Sequence, residues 1–165
     1  MIIKEGQVVK VISDLHIQAN YEKSGFFYDD EGFLEKLKDL MSTSDLLVLN
    51  GDIFETYVHK NFPTKKSDAD QVKEIVYDTY KKSFEYIFQN KEKVVLISGN
   101  HDDILHYAKY RKYIFGKDLE RVRICRILNL EMQSQRGDRN VLVSHGDEKY
   151  YTASDLASKM LRAFI

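Results

Sequence analysis

Four short apolar runs constrain this chain more than any other feature. Val8-Val9-Lys10-Val11-Ile12, Leu46-Leu47-Val48-Leu49, Val94-Val95-Leu96-Ile97 and Val141-Leu142-Val143 are continuous rather than alternating. A strand apolar on both sides has to be covered on both faces. A fifth segment, Arg121 to Leu128, alternates: Val122, Ile124, Ile127 and Leu128 are apolar, while Arg121, Arg123 and Arg126 are charged. It predicts a more exposed strand near a sheet edge. Helical patterns lie between the runs. Phe33, Leu34, Leu37, Leu40 and Met41 form one, with Asp29 or Asp30 as its cap. Val72, Ile75, Val76, Tyr80, Phe84, Ile87 and Phe88 form a longer one, starting after Ser67 and Asp68. Ala153, Leu156, Ala157, Met160, Leu161 and Phe164 form the last. Strands alternating with helices predict an α/β layered fold. Phe54 to Lys66 reads as the longest loop.

Composition narrows the function. The chain has 165 residues, enough for one domain with a real core. Its net charge of -1 disfavours a general nucleic-acid or anionic-membrane binder. No apolar run is long enough for a membrane span or a signal peptide. The single cysteine, Cys125, has no internal disulfide partner, which fits a reducing, cytoplasmic setting.

All four runs end in residues able to bind a metal. Ser13 leads into Asp14-Leu15-His16, Leu49 into Asn50-Gly51-Asp52, Ser98 into Gly99-Asn100-His101-Asp102, and Ser144 into His145-Gly146-Asp147. In open α/β sheets the carboxyl ends of the strands form the ligand-binding rim. Asp14 and His16 would point the same way if that segment stays extended. Asp52 has two carboxylate oxygens and could bridge two cations. Asn100 offers a neutral oxygen and His145 another imidazole. Gly51, Gly99 and Gly146 would let the backbone turn tightly beside the ions. Such mixed nitrogen and oxygen ligands suit Mn, Fe or Zn. Two cations about 4 Å apart can together activate water and neutralise a phosphoryl oxygen. Each piece alone also reads as structure: Gly-Asp as a turn, Asn-His-Asp as a helix start, His145 as a strand-end histidine. Their conjunction after four apolar strands favours the metal.

Together these motifs resemble the calcineurin-like metallophosphoesterase superfamily. Asp14-Leu15-His16, Gly51-Asp52-Ile53-Phe54, Gly99-Asn100-His101-Asp102 and His145-Gly146-Asp147 match its pattern, and the resemblance runs from Val8 to about Tyr151. Ser13-Asp14-Leu15-His16 and His145-Gly146-Asp147 look closest to the branch containing UDP-2,3-diacylglucosamine pyrophosphatases. The resemblance implies a two-sheet sandwich flanked by helices. It implies two divalent cations, Mn2+ above all, with Fe, Zn, Ni or Mg as alternatives. Asp14, His16 and Asp52 would hold the first; Asp52, Asn100 and His145 would hold the second. His101 would act at the leaving-group oxygen. The nucleophile would be a metal-bound hydroxide attacking phosphorus in line.

Two positions depart from the family pattern. Glu55 stands where many relatives carry Asp, and it would act behind the ligands. The family's closing Gly-His-x-His is absent, and neither His59 nor His106 lies in such a motif. Each metal would then lack one expected ligand. The favoured expectation is a domain over 1–165 that lacks its C-terminal strands; a complete chain with weak or selective metal binding, or a degenerate scaffold that binds partners, are the alternatives. An open edge left by missing strands would favour a homo-oligomer.

The implied substrate is a small-molecule phosphoester, with monoester, diester and pyrophosphate left open. Lys60, Lys65 and Lys66 could steer an anionic substrate, though a solvated loop is the simpler use. Tyr57, Phe62, Tyr107, Tyr110 and Tyr113 could line a nucleobase or lipid pocket, and Arg111 and Lys112 could touch phosphate. A non-catalytic binding module is the rival reading. A nuclease is a third, disfavoured by the weak basic character.

Overall fold

The computed structural model describes residues 1–19, 26, 28–56 and 67–146. Among these, β2 (Val9–Ile12), β3 (Leu46–Asn50), β4 (Val94–Ile97) and β5 (Ile124–Cys125) form a parallel sheet in that order. A second sheet has the order β1 (Ile2–Lys4), β6 (Ile127–Gln133), β7 (Arg139–Ser144). β1 runs parallel to β6, and β7 antiparallel to it. Parallel neighbours require crossovers, and each one here carries helix. α1 (Asp30–Ser42) joins β2 to β3, α2 (Asp68–Glu74) and α3 (Lys81–Gln89) join β3 to β4, and α4 (Ala108–Phe115) joins β4 to β5.

Side-chain alternation explains the continuous apolar runs of β3 and β4, whereas the runs at β2 and β7 are not covered on both faces: Val8 and Val11 are exposed, and β7 buries Val143 alone. Leu47 and Leu49 of β3, with Val94 and Leu96 of β4, face the helices and pack in a large core with Phe33, Leu37, Tyr80 and Phe84. Leu46, Val48, Val95 and Ile97 point the other way. They meet Ile3, Leu128, Leu130 and Val143 of the second sheet in a smaller core. β3 and β4 therefore have no polar face at all. The expected α/β sandwich flanked by helices is what forms. No helix among the described residues is long and apolar enough to cross a membrane.

Two expectations need correction, and a third, the cap of α1, is met by Asp29. The alternating segment Arg121 to Leu128 is two strands in different sheets. β5 is the edge strand of the parallel sheet, as its charge pattern suggested, and pairs with β4 through only two residues. After Arg126 the chain crosses over, and β6 becomes the central strand of the second sheet. The long stripe from Val72 to Phe88 is not one helix either. A π-helical turn, Ile75–Thr79, separates α2 from α3, with the Tyr80 amide donating to the Ile75 carbonyl at 2.8 Å. Val72, Val76, Tyr80, Phe84 and Phe88 are spaced by four. On an ideal helix such a row drifts about 40° per step, and a wider turn takes up that drift. Finally, Asp29 and Asp30 both cap, but different helices. Asp29 accepts from the Gly32 amide at 2.8 Å and starts α1. Asp30 accepts from the Lys82 and Ser83 amides, each at 2.9 Å, at the start of α3.

The last helical pattern, from Ala153 to Phe164, lies outside the described residues. So do Tyr57, His59, Lys60, Phe62, Lys65, Lys66 and Asp147.

Candidate metal centre

Because β2, β3 and β4 are parallel, their carboxyl ends lie along one edge. Asp14 and His16 follow β2, Asp52 follows β3, and Asn100 and His101 follow β4. His145 reaches the same place from the other sheet, at the end of β7. Donor atoms of Asp14, His16 and Asp52 all lie within 4.8 Å of one another. His145 places Nε2 at 3.1 Å from Asp52 Oδ2. The His101 backbone amide donates to Asp52 Oδ1 at 2.9 Å. Asp52 is thus the hub: its carboxylate, at the end of β3, meets groups from the other three strand ends. Asn100 is half-buried in the same turn, between Gly99 and His101.

The backbone at the ligand positions is unusual. Asp14, His16 and Asp52 have φ of 58°, 48° and 48°, the only non-glycine residues in the left-handed region among those described. Asp14 and His16 therefore do not share a side by extension, as their spacing first suggests; two left-handed residues flank Leu15 and bring His16 Nε2 to 3.9 Å from Asp14 Oδ1. Each such residue costs of order 1 kcal/mol or more and persists only where surroundings over-determine it. Here the two loops are zipped together. The Asp14 amide donates to Gly51 O at 3.1 Å, His16 to Asp52 O at 2.9 Å, Ile17 to Ile53 O at 2.9 Å, and Glu55 to Ile17 O at 3.0 Å.

Two glycines are required by close approach. A Cβ on Gly51 would stand 2.2 Å from Cγ and Nδ1 of His145, and one on Gly99 would stand 2.2 Å from Asp52 Oδ1. Any side chain there would fill the space the ligands need.

Two carboxylates matter more than their motifs revealed. Glu55 is buried and spans two imidazoles: His16 Nδ1 lies 3.0 Å from Oε2, and His101 Nδ1 lies 2.8 Å from the same carboxylate. The two rings meet edge to face, with centroids 4.7 Å apart. A carboxylate accepts only, so both rings carry their proton on Nδ1 and direct Nε2 elsewhere. His16, Glu55 and His101 also have ligating atoms within 4.8 Å, but these Nδ1 atoms serve as donors to Glu55. Glu55 has a sequence signal, its place three after Asp52, but nothing in the sequence shows that it spans both rings.

Asp102 is the other. It is fully buried and accepts from the amides of Gly99 at 2.6 Å, Ile53 at 2.8 Å and Phe54 at 3.2 Å. Burial pushes its carboxyl up to about 6, against the pull of those three amides toward the charged form. It does not cap the 3-10 turn Asp103–His106 that follows it, although Asn-His-Asp also reads as a helix start. It ties the turn after β3 to the turn after β4. Thr56 adds a further tie, its hydroxyl donating to the His101 carbonyl. His106 sits half-buried in the 3-10 turn, apart from both donor groups.

The donor set fits divalent cations. His145 Nδ1 lies 3.0 Å from the Asn50 carbonyl, which only accepts, so Nδ1 carries the proton. A proton on Nε2 closes the 3.1 Å contact with Asp52 Oδ2, and a divalent cation ligated by both atoms would take that proton's place. Asn50 Oδ1, on the residue whose carbonyl meets His145, is buried with no hydrogen-bond partner among the described residues. Histidines are the ion-pair partners of Asp14 and Asp52 among those residues. Imidazole and carboxylate ligands together suit Mn, Fe or Zn.

Comparison with known proteins agrees with this chemistry. The family model described as calcineurin-like phosphoesterase matches residues 8–162, nearly the whole chain. A search of curated proteins returns no significant match.

Proposed function

The chain belongs to the calcineurin-like phosphoesterase family, and on that premise we propose how its own residues carry out metal-dependent phosphoester hydrolysis. Asp14, His16 and Asp52 hold one divalent cation. Asp52, Asn100 and His145 hold the second, and Mn2+ is the favoured metal. Bound cations supply the acidity that activates water and the charge that neutralises the phosphoryl oxygens. The observation that carries the reading is Asp52, whose carboxylate lies 3.1 Å from His145 and within 4.8 Å of donor atoms of both Asp14 and His16.

The protein's remaining task is proton placement. The oxygen of water forms a new bond to phosphorus, the bond from phosphorus to the leaving oxygen breaks, and a proton passes to that oxygen. His101 is the donor in this reading. With Nδ1–H held by Glu55, Nε2 is the atom left to meet the leaving oxygen, and the ring donates there when it carries a second proton, on Nε2. Ser13-Asp14-Leu15-His16 and His145-Gly146-Asp147 support a place near the pyrophosphatase branch.

The test uses p-nitrophenyl phosphate and its bis ester with added Mn2+. Asp52→Asn should lower turnover by more than the roughly 10- to 100-fold that loss of a mere supporting group costs, and should lower metal content as well. His101→Ala should keep the metal and slow turnover, most for poor leaving groups. Unchanged turnover in Asp52→Asn would overturn the assignment. Loss of metal in His101→Ala would show that His101 is a ligand instead.

A further inference from the structure

Two residues beyond His101 the chain forms one wall of a cavity of about 370 Å³. Asp103 and Ile104 line it from that side, Asp68 from the start of α2, and Tyr107 and Tyr110 from the start of α4. Two residues of chain reach at most about 7 Å, so this wall of the cavity lies close to His101. Its volume lies within the range that small-molecule pockets occupy.

The lining has a definite chemistry. Tyr107 and Tyr110 are 54% and 36% exposed, although aromatic side chains of this size usually bury most of their surface. Their rings stand edge to face at 87°, centroids 6.1 Å apart, which makes a corner rather than a stack. Asp68 and Asp103 add two carboxylates, and no lysine or arginine among the described residues pairs with either or lines the cavity. Aromatic faces with carboxylates recognise an organic cation; an anion is repelled. The chain supplies its own illustration, since the Lys109 ammonium already lies 4.6 Å from the Tyr110 centroid.

We propose that this cavity is the leaving-group subsite, and that it takes the ammonium group of a cationic amino alcohol esterified to the phosphate. The proposal rests on the hydrolase reading above, with His101 on the leaving-group side. Phosphate would sit at the Asp52 centre, and the ammonium would lie in the Tyr107–Tyr110 corner, away from the cations. Hydrolysis would then release the amino alcohol, its oxygen taking the proton, and free phosphate.

The experiment compares phosphocholine with 3,3-dimethylbutyl phosphate, which has the same shape and no charge. The ratio of their kcat/KM values is read in the full chain, in Tyr107→Ala/Tyr110→Ala and in Asp68→Asn/Asp103→Asn. Intrinsic leaving-group differences cancel when this ratio is compared between proteins. Each double variant should lower the ratio by about tenfold. An unchanged ratio in both variants, with both esters still turned over, overturns the subsite while leaving the hydrolase intact. A second arm measures binding of choline itself to Asp52→Asn protein by calorimetry, with 3,3-dimethylbutanol as control. Saturable choline binding that the tyrosine variant loses supports the pocket even if no ester is hydrolysed. Equal binding of the neutral alcohol overturns it. Phosphatidylcholine vesicles as a further substrate separate the two sources: turnover that shows the same variant dependence supports the pocket with a lipid headgroup as occupant.

Discussion

At the scale of single residues, the centre depends on carboxylates used in different ways. Asp52 offers both oxygens to the site. Asp102 offers both to backbone: Oδ1 to Gly99, and Oδ2 to Ile53 and Phe54. An asparagine has one acceptor oxygen, so at least one of these amides would face an NH2 group. Asp102→Asn should therefore cost about 2 kcal/mol, the penalty of a buried unsatisfied donor, as measured by urea unfolding. It should also reduce activity, because the same atoms hold the turns of Asp52 and His101 together. A variant of unchanged stability would show that the turns do not need this tie. The sequence made the ligand candidates visible because Asp, His and Asn follow apolar runs. It did not reveal the left-handed backbone at Asp14, His16 and Asp52, since long-range pairing of two loops imposes that conformation.

At the scale of elements, the helices were legible where one face is buried and less so where two elements share a job. The α1 stripe of Phe33, Leu37 and Met41 is buried as its spacing implies. The π-helical turn was hidden, because steps of four look helical whether or not the row drifts. The capping role of Asp30 was hidden for another reason: it serves a helix some fifty residues away in the chain. Tyr80, at the N-terminal end of α3, makes no side-chain cap, so Asp30 takes its place. Asp30→Ala should destabilise the fold by about 1–2 kcal/mol. Chemical denaturation checks this. Asp29→Ala, which removes a cap within α1 alone, should cost about 1 kcal/mol. If Asp30→Ala costs nothing, the contact between α1 and α3 does not depend on that cap.

At the scale of the whole molecule, β3 and β4 belong to two cores at once. The larger core, under the helices, was legible from the continuous apolar runs and helical stripes together. The smaller core was only half legible, because β1 is three residues long and β6 lies hidden behind the charges of Arg121 to Arg126. Leu37→Ala in the first core and Leu130→Ala in the second should each cost about 2–5 kcal/mol. They should differ in their effect on metal. Well below the unfolding transition, a Mn2+ titration should show weaker binding for Leu130→Ala and near-normal binding for Leu37→Ala. The reason is geometric: Asp52 hangs from one sheet and His145 from the other. Equal metal binding by both variants would refute it. The side chains between the sheets thus work like a feeler gauge. Their combined thickness fixes the gap across which Asp52 and His145 face each other, so a methyl group deep in the sandwich becomes a dimension of the metal site.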